Sequence, residues 1–160
     1  MQEVLSSGTE YLESRGIDAA RHSMQSLMVH VLGCNKTWLY LHYEDPLPED
    51  KLAPLRELLR QRGLGVPLQH LLGSTEFYRR EFRTDARALI PRPETEELVD
   101  WVLHDEPQAH HLLDIGTGSG CIAVSLKYNC PEAEVEASDI SPAALEGFRE
   151  NCRNILGREL

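Results

Sequence analysis

Basic residues are scarce in this sequence, which has 16 lysines and arginines against 26 aspartates and glutamates and a formal net charge of −10. Binding to a nucleic-acid backbone or to an anionic membrane relies on clustered positive charge, so the composition argues against both partners. An acidic surface most often serves solubility, although it leaves a basic protein partner open. No stretch approaches the roughly 20 apolar residues that span a bilayer, and residues 1–10 lack the features of a secretion signal.

Metal-ligand spacing is also missing. The four cysteines, Cys34, Cys121, Cys130 and Cys152, show none of the close pairing of zinc sites. His110 and His111 are neighbours and would face opposite sides of a strand. We therefore predict no metal site and no disulfides, and unpaired thiols favour a cytoplasmic location.

The first 70 residues have the periodicity of helices. An opening helix is predicted over residues 4–15. A second helix, with Asp18 as its predicted N-cap and Gly33 as its stop, carries five apolar residues at helical spacing: Met24, Leu27, Met28, Val31 and Leu32. A further long helix ends near Gly63, and Pro54 should kink it or mark its start. The front of the chain is therefore predicted to be a helical bundle.

The spacing of apolar residues changes from a helical to a strand-like pattern after residue 73. Residues 76–78 and 81–84 predict two short strands that form a hairpin. The segment Pro91–Arg92–Pro93–Glu94 follows, and Pro93 suits the first turn of a helix whose apolar face is Leu98, Val99, Val102 and Leu103.

From residue 111 the order is strand, glycine loop, helix, strand, helix. The strands are predicted at residues 111–115 and 134–138, and Ser141–Pro142 should cap the final helix, with Leu145, Phe148, Cys152 and Ile155 on one side. Two successive βα units predict an α/β fold with a parallel, Rossmann-like sheet. Because such sheets normally have several strands covered on both faces, we expect the chain to be a fragment.

The loop between the first of these strands and its helix is the sharpest local signal. It reads Asp114–Ile115–Gly116–Thr117–Gly118–Ser119–Gly120–Cys121, so it matches neither the dinucleotide fingerprint, which needs a glycine at position 121, nor the P-loop, which needs Gly-Lys-Ser/Thr. Asp139 ends the next strand about twenty residues later, where a carboxylate can accept hydrogen bonds from a ribose. These features favour S-adenosylmethionine, with Asp114, Gly116, Thr117, Gly118, Ser119, Gly120 and Asp139 as candidate binding residues. The pattern alone leaves a nucleotide binder open.

Several of these segments resemble the HemK-type (PrmC-like) protein-glutamine methyltransferases, which act on peptide-chain release factors. Residues 89–96 resemble the signature of that family, residues 112–120 its cofactor loop and residues 138–145 its ribose-binding segment. Residues 67–73 and 76–78 match in order and spacing. The resemblance is close over about the last hundred residues and extends to the helical front by layout only.

The resemblance implies three parts. Residues 1–73 would be a helical domain that helps dock the release factor, residues 74–90 a β-hairpin linker, and residues 91–160 an incomplete class I methyltransferase domain. The implied reaction transfers a methyl group from S-adenosylmethionine to the side-chain amide of the glutamine in the release factor's Gly-Gly-Gln loop. Pro91, Arg92, Pro93 and Glu94 would lie near the substrate and cofactor.

The sequence departs from the family in one respect. It contains no Asn-Pro-Pro-Tyr, the family's catalytic motif, and the run Asn129–Cys130–Pro131 lies on the wrong element. We therefore assign no catalytic residue and expect the chain by itself to be inactive and to bind its cofactor weakly. Without its remaining strands the sheet would expose an open edge, so we also expect self-association.

Two other functions stay open. One is a non-catalytic binding module for a release factor or for S-adenosylmethionine. The other is a related methyltransferase that modifies a nucleobase amino group, against which the acidic charge and the signature at residues 91–96 both argue. Salt-dependent binding to nucleic acid would favour the nucleobase methyltransferase.

Overall fold

A computed structural model describes residues 1–160. The chain divides into two compact units, Met1–Leu72 and Gly73–Leu160. The first unit consists of five helices: α1 (Gln2–Ser14), α2 (Ala20–Leu32), α3 (Lys36–Leu41), α4 (Glu49–Gly63) and α5 (Leu68–Leu72). The second contains four strands and three helices: β1 (Ser74–Phe77), β2 (Arg80–Arg83), α6 (Thr95–Asp105), β3 (His111–Ile115), α7 (Cys121–Asn129), β4 (Glu134–Ser138) and α8 (Pro142–Leu156). None of the eight helices combines the length and the apolar character needed to cross a membrane. The predicted α/β fold, with its helical front, hairpin and parallel strands, is confirmed.

The core of the first unit forms where the apolar stripes of its helices meet. The side chains buried there include Leu5, Leu12, Met24, Leu27, Met28, Leu39 and Leu55. Gly8 lets α1 approach α2 closely, since a Cβ on that residue would lie 2.4 Å from the sulfur of Met24. The methionines of α2 are therefore core residues, as their spacing predicts.

Two details of the helical unit differ from expectation. Asp18 is not the N-cap of α2; Ala19 holds that position in a left-handed conformation (φ 50°), and no side chain caps the helix. Pro54 does not mark the start of its helix, because α4 begins five residues earlier at Glu49. Gly33 ends α2 in a left-handed conformation (φ 64°), as predicted.

The hairpin opens the second unit. β1 and β2 pair antiparallel, with Phe77 opposite Arg80, so only Tyr78 and Arg79 form the turn. Both turn residues have positive φ, 48° and 61°, which is the type I′ geometry that suits the twist of a hairpin but normally uses asparagine and glycine. Phe77 and Phe82 are buried with their rings edge to face at 5.9 Å, which joins the hairpin to the core.

The start of α6 differs from the prediction in two respects, the position of Pro93 and the exposure of Leu98. Pro93 does not lie in the first turn of the helix; Glu94 is the N-cap and α6 begins at Thr95. The carbonyls of Arg92 and Pro93 instead accept hydrogen bonds from Thr95 and Glu96, so a tight turn leads into the helix. Leu98 lies outside the buried face and is 43% exposed, whereas Val99 is fully buried.

The last fifty residues form a parallel pair of strands with a helix after each. β3 and β4 have the predicted bounds, and His111 is in register with Glu134. One face of the pair, which includes Val135, packs against the core, while the other exposes Leu113 and Ile115 (60% and 79%). In α8, Ser141 caps the N-terminus by accepting a hydrogen bond from the amide of Ala144.

Candidate functional site

The loop between β3 and α7 takes its shape from three left-handed glycines. Gly116, Gly118 and Gly120 have φ values of 80°, 55° and 83°. Side chains are strained in this region, so glycine at each position makes the reversal possible. A Cβ on Gly120 would also lie 2.3 Å from the ring of Phe148, whereas one on Gly116 would meet nothing within 4 Å. The loop is therefore tight against α8 at its end and open at its start.

Asp114 braces this loop from the strand side. The same carboxylate oxygen of Asp114 accepts two hydrogen bonds, one from the Thr117 hydroxyl at 2.7 Å and one from the amide of Ala123 at 3.3 Å. The second bond satisfies an amide in the first turn of α7, which has no partner within the helix. Asp114 therefore lies at the loop, as predicted, and its contacts support the N-terminus of α7.

Asp139 lies beside the same loop at the end of β4. Its carboxylate accepts hydrogen bonds from the amide of Ser141 at 2.9 Å and from the amide of Gly118 at 2.8 Å. These two amides, first that of Ser141 and then that of Gly118, hold the pKa of Asp139 below its usual value. The carboxylate is therefore ionised at neutral pH and keeps lone pairs for a further donor.

The ends of the two strands are joined by backbone as well. The amides of Gly116 and Thr117 both donate to the carbonyl of Ser138, at 2.8 and 2.9 Å. Thr117 and Ser119 are themselves buried. The structure thus brings all seven predicted cofactor residues into one loop and one adjoining strand end.

The four predicted substrate-adjacent residues lie on the loop that precedes α6. Arg92, Pro93 and Glu94 are exposed and Pro91 is half-buried. The same loop approaches the glycine loop at Ala88, whose Cβ lies 3.7 Å from where a Cβ on Gly118 would stand. The role of residues 91–94 remains a prediction.

Two groups at the site were missed from the sequence. Arg87 forms ion pairs with Asp85 at 2.7 Å and with Glu150 of α8 at 2.9 Å. The bonds to Glu150 and then to Asp85 raise the pKa of Arg87, and Arg87 lowers the pKa of Glu150, so the segment after β2 is held to α8 by charge. Nothing in the local sequence pattern could reveal partners 63 residues apart.

Asn151 is the other missed residue. It is fully buried and donates a hydrogen bond to the carbonyl of Ser119 at 2.9 Å. A signal was present, because residues 148, 151, 152 and 155 have the spacing of one buried helical face, and Asn151 is the polar residue among them. A polar side chain in such a position needs partners.

The thiols near the site are poor nucleophiles. Burial, with a smaller contribution from Asp114, raises the pKa of Cys121 to about 11, and burial likewise raises that of Cys152 to about 11.

No group of three histidine, cysteine or acidic side chains comes together as a metal site. His111 contacts Glu134 at 3.1 Å across the strand pair.

The charge at the loop bears on which ligand fits. Asp114 and Asp139 are both acidic, and no lysine or arginine occurs between residues 114 and 121. A pyrophosphate would face these carboxylates without a basic residue in the loop itself, whereas a positively charged sulfonium would be attracted to them. The open space at Gly116 and the available lone pairs of Asp139 also suit a ligand with a ribose. The residues present therefore fit S-adenosylmethionine.

The first unit contains a cavity of its own. A cavity of about 440 Å³ lies between α1 and α4, over α2. Its lining is mainly apolar, with charges from Glu3 and Arg56: Glu3, Val4, Ser7, Gly8, Tyr11, Met24, Leu52, Leu55, Arg56 and Leu59.

Comparison with known proteins identifies both halves of the chain. Residues 3–73 match the family model described as the PrmC N-terminal domain, and residues 95–156 match that of the methyltransferase small domain. The chain belongs to the HemK-type (PrmC-like) family. The release factor glutamine methyltransferase of Chlorobaculum tepidum is 38% identical over 93% of this chain and 53% of its own length. The protein of the same name from Bordetella pertussis is 41% identical over 86% of this chain and 52% of its own length.

A human relative extends the comparison beyond bacteria. The MTRF1L release factor glutamine methyltransferase of Homo sapiens is 37% identical over 96% of this chain and 48% of its own length. The chain thus spans about half the length of the curated relatives it matches. The HemK-type resemblance predicted from the motifs at residues 89–96, 112–120 and 138–145 is confirmed.

Proposed function

We propose that this chain carries the cofactor-binding half of a protein-glutamine methyltransferase site and binds S-adenosylmethionine at the glycine loop. The observation that carries the proposal is the hydrogen bond between Asp139 and the Gly118 amide, which fixes an ionised carboxylate at the opening of the loop. When bound, the cofactor would supply an electrophilic methyl group. The chain's own residues would only hold and orient it.

Each candidate residue has a separate task in this proposal. Asp139 would accept hydrogen bonds from the ribose hydroxyls. Gly116 would let the ligand approach the backbone, because nothing lies within 4 Å of where its side chain would be. Asp114 would act mainly by keeping Thr117 and the start of α7 in place, and by its negative charge near the sulfonium.

The acceptor would be a glutamine side-chain amide of a release factor, as the names of the relatives suggest, and the family resemblance implies the glutamine of the Gly-Gly-Gln loop. An amide nitrogen is a poor nucleophile and must be oriented by acceptors on its N–H groups. The Asn-Pro-Pro-Tyr motif that would do this is not in the sequence. The chain alone would therefore bind cofactor without transferring the methyl group.

The apolar cavity of the first unit supports a docking role for residues 1–73. A basic, amphipathic segment of a release factor would suit its apolar lining and the carboxylate of Glu3. The division into a docking domain (1–73), a linker (74–90) and an incomplete methyltransferase domain (91–160) belongs to this proposal. The second candidate is a non-catalytic binding module for a release factor or for S-adenosylmethionine.

Photolabelling tests the cofactor site directly. The chain is irradiated with radiolabelled S-adenosylmethionine and digested, and the labelled peptides are mapped. We expect the label on peptides that contain Gly116–Gly120 or Asp139, and competition by S-adenosylhomocysteine but not by NAD. Label confined to residues 1–73, or label that NAD removes equally well, would overturn the assignment.

The same chain can be tested for chemistry and docking. Incubation with a release factor and S-adenosylmethionine, followed by mass spectrometry of the Gly-Gly-Gln peptide, should show no added methyl group. Glu3→Lys should weaken co-sedimentation with the release factor if the cavity is the docking site, because it places a positive charge in the lining against a basic segment, whereas Glu10→Lys, the same change at an exposed residue outside the lining, should not. Turnover by this chain would contradict the proposed inactivity, and equal binding by both variants would contradict the docking site.

A further inference from the structure

Asn151 makes three hydrogen bonds from a fully buried position on α8. Its side-chain oxygen accepts from the amide of Arg83 at 2.8 Å. Its nitrogen donates to the carbonyl of Arg83 at 3.2 Å and to the carbonyl of Ser119 at 2.9 Å. One side chain thus links α8, the end of β2 and the glycine loop.

The partners fix which way the amide group points. All three are backbone groups, so the amide of Arg83 can only donate and the two carbonyls can only accept. Flipping the Asn151 amide would oppose a donor to a donor and leave both carbonyls without a hydrogen. Both N–H hydrogens and the oxygen of Asn151 are used in the observed orientation, and no smaller or charged side chain can replace all three bonds.

The carbonyl of Ser119 depends on Asn151 because α7 does not use it. Ser119 precedes the N-cap Gly120, so its carbonyl lies before the first hydrogen bond of the helix, and the amide of Ala123, four residues later, donates to Asp114 instead. The next amide, that of Val124, donates to the carbonyl of Gly120. The start of α7 is therefore completed by two side chains, Asp114 from β3 and Asn151 from α8.

We propose that Asn151 is a positioning residue for the cofactor: by holding the Ser119 carbonyl to β2, it fixes the turn that presents Gly118 and Gly120. This inference rests on the proposed function of the loop. Asn151 does not itself touch the ligand. It acts from behind the loop, where Phe148 of the same helix already packs against Gly120. Losing the bond would let the loop relax and weaken cofactor binding.

The test compares Asn151→Asp with Glu150→Gln in the full 160-residue chain. Asn151→Asp keeps the oxygen that accepts from Arg83 but removes both donors. Glu150→Gln alters the neighbouring residue of α8 and its ion pairs with Arg83 and Arg87 without reaching Ser119. Binding of S-adenosylmethionine is measured by calorimetry, and amide hydrogen exchange is measured in the ligand-free proteins.

We expect Asn151→Asp to bind S-adenosylmethionine about tenfold more weakly, and Glu150→Gln to stay within about twofold of the parent chain. The amides of Gly118 and Gly120 should exchange about tenfold faster in Asn151→Asp, while those of the β3–β4 pair are unchanged. Unchanged affinity in a folded Asn151→Asp variant would overturn the proposal. Uniformly faster exchange across the second unit would also overturn it, because it would indicate a merely structural role.

Two further outcomes are informative. If the parent chain binds no S-adenosylmethionine, the proposed function fails, but the exchange comparison still decides whether Asn151 holds the loop. If Asn151→Asp does not fold, nuclear magnetic resonance of the parent chain decides instead. The side-chain N–H protons of Asn151 should then be protected from solvent and show coupling through the hydrogen bond to the Ser119 carbonyl. Rapidly exchanging side-chain protons would contradict the proposal.

Discussion

The carboxylate of Asp139 accepts a hydrogen bond from the amide of Gly118 at 2.8 Å, so the end of β4 is tied to the loop that follows β3. The two residues are 21 positions apart in sequence and belong to different βα units. Parallel pairing of the strands brings their carboxyl ends to one edge of the sheet, which is where ligands of open α/β sheets bind. The candidate site is a consequence of this topology.

The link between Asp139 and Gly118 predicts a pH dependence. The folded-state pKa of Asp139 is lowered below its unfolded value of 3.8 by the amides of Ser141 and Gly118, so its contribution to stability is present above about pH 4 and is lost as the pH falls through the folded pKa. Carbon-detected titration should give Asp139 a midpoint below 3.8, and Asp139→Asn should reduce the loss of stability in that range. A midpoint at or above 3.8 contradicts the contact.

Gly120 and Gly157 allow the effect of a steric overlap to be separated from that of left-handed backbone. Both are left-handed, with φ of 83° and 70°, but only at Gly120 would a Cβ overlap another group, the ring of Phe148. We expect Gly157→Ala to lower the free energy of unfolding by about 1 kcal/mol and Gly120→Ala to lower it by about 2–4 kcal/mol.

Urea unfolding followed by fluorescence can separate the two units. The chain has two tryptophans, Trp38 in α3 and Trp101 in α6, so a Trp38→Phe background reports on the second unit alone. Both glycine variants are measured in that background. Equal losses in the two variants would show that the contact between Gly120 and Phe148 is not tight.

The hairpin turn can be made more stable. Arg79 is exposed and has a φ of 61°, a conformation that glycine adopts without cost. We expect Arg79→Gly to raise the free energy of unfolding by about 0.5–1 kcal/mol. Tyr78 should keep its φ of 48°, because its amide donates to Glu96 and its hydroxyl to Asp100. Thermal unfolding tests this, and a destabilised Arg79→Gly variant would mean that the arginine side chain makes a needed contact.

The exposed face of the β3–β4 pair predicts self-association. Leu113 and Ile115 lie together on that face, and each strand has an unpaired edge. Sedimentation equilibrium should show reversible association that weakens in Leu113→Glu but not in Leu41→Glu, which changes a leucine of the first unit that is 77% exposed. A single monomeric species at high concentration would contradict this expectation.

The strands and the glycine loop could be predicted from sequence because their determinants are local. β3 and β4 have the predicted bounds, since the apolar run of β3 and the alternating residues of β4 are each followed at once by turn residues. The glycine loop was predictable because left-handed backbone selects glycine directly. The cap of α8 at Ser141 follows from a similarly local preference.

Other features are not fully specified by the local sequence pattern. Ala19 replaces the expected cap Asp18, although nothing in its side chain favours a left-handed conformation. The start of α6 differs because the tight turn at Arg92 and Pro93 shifts the cap to Glu94. The contact of Asn151 with Ser119 spans 32 residues, so its sequence signal, a polar residue in an apolar stripe, indicates burial but not the partner.

The most direct test of cofactor binding at the glycine loop is calorimetric titration of the chain with S-adenosylmethionine, repeated with Asp139→Ala and with Glu136→Ala, which removes an exposed carboxylate of β4. We expect saturable binding that weakens about tenfold or more in Asp139→Ala and is retained in Glu136→Ala. No saturable binding by the parent chain, or equal binding by the parent and Asp139→Ala, would contradict the assignment of the glycine loop and Asp139 as a cofactor site.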